Sequence, residues 1–455
     1  MLSFREPNFR RRSLPAFLIL SWLAVSLPVF ASPPSSGKAA RRIRGLEREA
    51  RTGREPLLHL LDAVLWPPRA AADAGLHGVE AGVGRLTDPE FIRRVEDFFY
   101  LVDRSAGWYP FLSSASDTRP MYGAFLFYRG DRTRLSAGGS YNDGDKWEVR
   151  ASSSRKGKWK ESVWKAELSA LAGEDDDLRF AGFGPDPETD PRNPFRAGAP
   201  EGAAEYRQRR TQVRLRLSIR PSFRKTFALL VLYQSRKIHS PETSRSLGAV
   251  FDLDRLPGAE GRIRRWYGEL SACADTRPDP TRVQAGVRVA GFAGLSLGGG
   301  SHPARYMRTG LDAAFFLPLP GRGRTAVARL EFDGGENLRD KVPIPFAEYP
   351  RHTLFRGISS RELSYVDERS LLVRLAYQWR LTPTFDAQLF ADRLSAAART
   401  KDLLKDGTWC AGMGWNLHGD RRVLAGLQIA FSSRGVRAVL SSGFPVDTTE
   451  RFEER

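Results

Sequence analysis

The sequence predicts an all-β fold, a transmembrane antiparallel β-barrel of about 16 strands with a short N-terminal helical periplasmic segment. Three observations predict it: an export signal at the N-terminus, period-two alternation through most of the chain, and connections that alternate between short and long.

The export signal occupies residues 1–31. Arg10, Arg11 and Arg12 form a basic start, and Leu14 to Val29 is an apolar run broken by Pro15, Ser21, Trp22, Ser26 and Pro28. Val29-Phe30-Ala31 places small residues at the −3 and −1 positions of a cleavage site, so the mature chain is expected from Ser32. An uncleaved anchor helix is the alternative; Ser32-Pro33-Pro34 argues against it.

Residues 32–105 form a basic, amphipathic segment. Lys38, Arg41, Arg42, Arg44, Arg48, Arg51 and Arg54 face only Glu47 and Glu49. Leu57, Leu58, Leu60, Leu61, Val64 and Leu65 recur at helical spacing, as do Phe91, Ile92, Val95, Phe98 and Phe99. Pro67-Pro68 ends the first helix, and Thr87 or Asp88 is placed to cap the second. Such helices lie on a bilayer surface, or serve as a periplasmic plug or flexible leader.

Residues 106–446 carry the barrel. Val213, Leu215, Leu217 and Ile219 interleave with Gln212, Arg214, Arg216, Ser218 and Arg220. Leu371, Val373, Leu375, Tyr377, Trp379 and Leu381 interleave with Arg374, Ala376, Gln378 and Arg380. A soluble sandwich also alternates. Here the polar rows hold Arg, Lys and Glu, as a wet lumen requires, and Trp and Tyr sit near strand ends, where an aromatic girdle lies. Short turns are expected at Gly130-Asp131 and Asp143-Gly144-Asp145, and a long acidic outer loop from Gly173 to Ala203. Residues 447–455 form a polar tail.

Composition narrows the function. Charged residues make up 27% of the chain, and after residue 31 nothing approaches the ~20 consecutive apolar residues of a spanning helix. The formal charge of +18 would suggest nucleic acid in a cytoplasmic protein, but export removes that partner. Two sinks remain: the barrel lumen, and the anionic headgroups of outer-membrane lipid and lipopolysaccharide. Cys273 and Cys410 are too few for a disulfide framework. Gly294-Leu295-Ser296-Leu297-Gly298 matches G-x-S-x-G, but no helix follows to make a nucleophile elbow. The six histidines are scattered without metal-binding spacing, so no catalytic, metal or cofactor site is expected.

From Leu354 to Phe444 the chain resembles the C-terminal half of the BamA/TamA family of outer-membrane proteins. The carrying residues are the loop tip Phe355-Arg356-Gly357-Ile358, the strand at Asp367 to Leu372, Phe390-Ala391-Asp392, Gly412-Met413-Gly414, and the terminal Phe444. The resemblance implies a bacterial outer-membrane protein whose loop tip folds back into the lumen. There Arg356 and Gly357 would meet Asp392 and Phe390. It also implies a last strand with an insertion signal, formed by Val436, Ala438, Leu440, Gly443 and Phe444. Two positions depart from the family: Ile358 replaces an aromatic, and Ala376 stands where a lumenal Glu is common. The family's periplasmic polypeptide-binding domains are not recognisable in residues 32–105.

The function implied is assistance in inserting or moving protein or lipid at the outer membrane, through a weak seam between the last strand and a first strand near Pro120 to Tyr128. Client outer-membrane proteins or periplasmic accessory proteins would be partners. A diffusion channel, a lipid conduit, or a structural surface antigen are the alternatives.

Overall fold

A computed structural model describes residues 100–101 and 105–443, apart from 116–117, 143–145, 201, 223, 278–284, 321–322, 339–341, 351, 353–354, 358–361, 364–365, 383–384, 419–422 and 434. The export signal with Ala31 and Ser32, residues 32–99, Phe444 and the polar tail lie outside the described residues.

The strands in chain order are β1 (Tyr100–Leu101), β2 (Ala106–Ala115), β3 (Thr118–Arg129), β4 (Thr133–Tyr141), β5 (Trp147–Trp159) and β6 (Ser162–Phe180). Then come β7 (Ala204–Ser222), β8 (Lys225–His239), β9 (Arg262–Asp275), β10 (Gly286–Gly300), β11 (Arg305–Pro318) and β12 (Arg324–Asn337). The last are β13 (Glu362–Leu363), β14 (Arg369–Thr382), β15 (Phe385–Ala397), β16 (Thr408–His418), β17 (Val423–Ser432) and β18 (Gly435–Gly443). One four-residue helix, α1 (Leu247–Val250), lies between β8 and β9.

Without the two-residue β1 and β13, sixteen strands remain, each antiparallel to its neighbours. β2 to β12 pair in sequence, β12 pairs β14, and β18 returns to β2, so the pairings run round as a ring. Alternation explains which face is which. On β7, Val213, Leu215 and Leu217 are exposed on the outside, while Gln208 and Arg214 are buried on the inside. Leu126, Trp266, Leu270, Phe315, Leu375 and Trp409 continue the outer apolar face on other strands. An exposed apolar surface of this extent belongs against lipid.

Strand parity puts the described chain ends at one mouth, here called the terminal mouth. The three longest connections, 181–203, 240–261 and 338–368, all lie at the opposite, far mouth. Their side chains build the main apolar core: Phe183, Leu247, Val250, Phe251, Leu256 and Phe346 pack with Phe180, Tyr206 and Ile238 at the strand ends.

Three expectations change. The acidic stretch after Gly173 is not loop: β6 runs on to Phe180, with its register shifting between Asp175 and Leu178. Charge at Glu174–Asp177 mimics a loop, but a lumen-facing strand accepts charge, and Lys146 meets Asp175 at 2.8 Å. Second, Tyr100–Leu101, inside the segment expected to be helical, is extended and pairs with β2. Third, the partner of β18 is β2, not the strand near Pro120 to Tyr128, which belongs to β3. Pro110 disguised β2, because a proline lacks the N–H of a ladder. It lies one residue before Phe111, where the described pairing with Gly443 begins.

The two faces predict opposite responses to charge. Leu215→Arg on the lipid side is expected to cost about 2–4 kcal/mol in urea unfolding from lipid vesicles. Ser154→Arg, pointing inward from β5, is expected to stay within about 0.5 kcal/mol of the parent.

Candidate functional site

Connection 338–368 enters the lumen and is held there at successive points. The first is a 3-10 turn, Phe346–Glu348. Phe346 is fully buried among Phe180 and Tyr206, with ring centroids 4.8 and 5.3 Å away. Glu348 reaches Arg265 of β9 at 2.7 Å and Arg236 of β8 at 3.1 Å, and accepts a hydrogen bond from the Tyr306 hydroxyl at 3.2 Å. Arg236 also donates to the Ala347 carbonyl at 2.7 Å. Burial works to raise the Glu348 pKa. Arg236, Arg265 and Arg308, with the Tyr306 hydroxyl, outweigh it and hold the carboxyl below its usual range.

The second point is His352. Its Nδ1 lies 3.4 Å from Glu331 of β12, and its Nε2 is 3.1 Å from the Ser370 hydroxyl of β14. All three side chains are buried. The spacing looks like a serine–histidine–carboxylate relay, yet Ser370 is 0% exposed and so closed to any substrate.

The third point is the tip. Phe355 packs into a buried cluster with Leu372, Phe390, Leu394, Cys410 and Ala430. Arg356 then forks onto Asp392 of β15, Nε to Oδ2 at 2.8 Å and Nη2 to Oδ1 at 2.5 Å. Its guanidinium lies 3.4 Å above the Phe390 ring centroid. A planar fork on a carboxylate and a flat face on an aromatic ring are both arginine's particular geometry. Arg374 of β14 approaches the same carboxylate at 3.5 Å, so Asp392, 0% exposed, serves two cations. Ala376 packs against the Phe355 cluster.

Gly357 is required at its position: a Cβ there would sit 2.7 Å from Cys410 Cβ and 2.9 Å from the Phe355 ring. The tip backbone also touches the last strands. Ser432 of β17 donates to the Gly357 carbonyl at 3.2 Å, and Arg437 of β18 to the Arg356 carbonyl at 3.5 Å.

A fourth hold joins two loops at the far mouth. Arg192 donates to both Asp367 oxygens at 2.8 Å and also bonds Asp190. Nothing in the sequence links these residues, which stand 175 apart. Glu348, His352 and Ser370 were likewise missed, because each takes its partner from a distant strand.

The structure therefore brings Arg356, Gly357, Phe390 and Asp392 together. Val436, Ala438, Leu440 and Gly443 lie on β18, whose outer face exposes Val436 and Leu440. Among the described residues β18 shares five pairs with β2, from Val439↔Ala115 to Gly443↔Phe111. Every other neighbouring pair in the ring shares eight or more. Gly294–Gly298 runs inside β10, with Ser296 buried. Cys273 and Cys410 are both free thiols.

No protein-family model matches the chain, and no curated protein matches it. Among solved structures, the fold is similar to CdiB from Acinetobacter baumannii: 11% identity, TM-score 0.47, covering 74% of this chain and 59% of that one. It is also similar to BamA from Haemophilus ducreyi lacking POTRA domains 1-3, at 13% identity and TM-score 0.48, covering 75% of this chain and 70% of that one. CdiB from Escherichia coli gives 9% identity and TM-score 0.44, covering 76% and 64%. The chain thus spans less than two thirds of either CdiB.

Two outcomes follow for the seated loop. In a double-mutant cycle of Arg356→Ala and Asp392→Ala, a coupling energy of about 2 kcal/mol is expected from urea unfolding. Additive losses would show that the fork holds nothing. For Glu348, the depressed pKa contributes stability that is fully present above the unfolded value of about 4.3 and is lost as pH falls through the folded value. Hydrogen exchange at Phe346–Glu348 is expected to stay slow through the ordinary carboxylate range and to rise only at lower pH; Glu348→Gln should remove that pH dependence.

Proposed function

We propose that this chain is an outer-membrane barrel that helps insert or move protein or lipid, by opening sideways between β18 and β2. The observation that carries this is the seam: among the described residues five pairs close it, the shortest described pairing in the ring. At about 0.5–1.5 kcal/mol net per hydrogen bond, such a seam is the cheapest place to part the sheet. Parting it leaves unpaired donors and acceptors in lipid, and a client strand is the group that best satisfies them. A free edge that takes up an extended segment gains main-chain hydrogen bonds in the manner of strand addition. Gly435 and Gly443, without side chains to pack, weaken β18 further.

The seated loop supports this reading over a wide diffusion channel. Its tip is seated inside the lumen against β15, β17 and β18, and the three long connections pack an aromatic core at the far mouth. Outer-membrane lipid, lipopolysaccharide and client barrels are the partners this function needs, with periplasmic accessory proteins delivering the clients.

The test is to staple the seam. Leu440 and Ser114 are register partners, so Leu440→Cys with Ser114→Cys should form a disulfide on oxidation. Cys273 and Cys410 are replaced by Ser in the same background. Outer-membrane proteomics is then expected to show other barrels falling several-fold in oxidised cells and recovering on reduction. Equal barrel abundance in both states, with the staple formed, would sink the seam mechanism.

A further inference from the structure

The lumen has two unlike walls. On the wall built by β9 to β16, the arginines meet carboxylates: Arg308 with Asp333, Arg329 and Arg288 with Asp312, Arg356 and Arg374 with Asp392. On β5 to β7, in the half nearer the terminal mouth, the charges differ. The lumen-facing positions there include Lys156 and Lys158, then Lys165, then Arg216 and Arg220, and among them one carboxylate, Glu167. Glu167 bonds Lys165 at 2.7 Å.

Register sharpens the contrast. Lys156 stands directly opposite Lys165, and on neighbouring strands Arg129 stands directly opposite Arg134. Like charges in directly opposed positions destabilise a sheet. Glu167 attends Lys165, and Arg216 stands opposite that same acid; elsewhere in this lumen each member of such a pair has a carboxylate of its own. Arg329 opposes Arg374, and Asp312 and Asp392 attend them; Arg210 opposes Arg236, and Glu148 and Glu348 attend them. On β5–β7 near the terminal mouth the chain supplies five cations and a single acid.

We propose that this wall is a binding surface for soluble, multiply charged anions of the phosphate class, entering from the terminal mouth. A low-dielectric enclosure lined by one sign of charge focuses its field and concentrates the opposite ion. Lysine and arginine are the usual donors to phosphate oxygens, lysine as a point charge and arginine as a fork. A solute is assigned rather than a bilayer headgroup because the same strands turn Val149, Leu168, Val213, Leu215 and Leu217 outward. Lipid covers that opposite face. The surface is separate from the loop anchor and from the seam, so it stands whether or not the seam opens.

The experiment titrates sodium tripolyphosphate into the full chain held in phosphatidylcholine nanodiscs at low salt, read by calorimetry. The parent is expected to bind. Lys156→Ser, Lys158→Ser and Arg220→Ser together are expected to weaken binding at least tenfold. Lys156→Arg with Lys158→Arg should retain it, which separates lost charge from lost fold. A control with the same loss of charge, Arg262→Ser, Arg264→Ser and Arg305→Ser, lies on the outer row at the far mouth and is expected to bind as the parent does. Absence of binding by the parent, or equal weakening in both triple variants, would overturn the proposal. So would phosphatidylglycerol nanodiscs that abolish tripolyphosphate binding while mass spectrometry finds that lipid retained by the parent and lost from the lumenal variant. That result would make the occupant a headgroup.

Discussion

A polypeptide inside hydrocarbon has no water to satisfy its backbone, and this one requirement governs the rest of the structure. A sheet meets it only by closing on itself, and sixteen strands do so here. Closure then divides every strand into a lipid row and a lumen row. The lipid row must be apolar, so charge among the described residues is driven to the lumen, the mouths and the loops. The shortest described pairing is at the closure itself, where β18 meets β2.

Charge gathered inside a barrel must be neutralised, and the chain does this unevenly. One wall spends its carboxylates on arginines, and the resulting ion pairs hold a long loop in the lumen. Ion pairs of this kind contribute little net stability compared with apolar packing, yet removing one partner is costly, about 3–5 kcal/mol. They are therefore well suited to fixing where the loop sits. Arg356 on Asp392 and Glu348 between Arg236 and Arg265 fix its two halves, and Phe346 and Phe355 add the apolar contribution. The other wall keeps its excess of cations.

Much of this fold was legible from residue alternation, because lipid and lumen impose opposite chemistry on successive residues. The rows on β7 and β14 could be assigned face by face. The Arg356-Gly357 tip and Asp392 were legible through a short motif whose geometry is stringent: only glycine fits against Cys410 and Phe355. What stayed hidden has physical causes. β2 was obscured by Pro110, and the end of β6 by acidic residues that a loop would also carry. Glu348, His352 and the Arg192–Asp367 fork depend on loops crossing the lumen or the far mouth, and sequence spacing carries no trace of such contacts. The balance of charge between lumen and headgroups was open from composition alone. The strand register decides it for β5–β7.

The tip of the loop bonds to β15 by side chain and to β17 and β18 by backbone carbonyl. Those three strands lie on the approach to the seam, so the loop acts as a brace across several staves of the barrel. A brace of this kind makes two events thermodynamically linked: whatever factor a seated tip adds to the closed seam, a closed seam returns to the seated tip. Binding energy spent at either place is then felt at the other, without any contact between the ligands responsible.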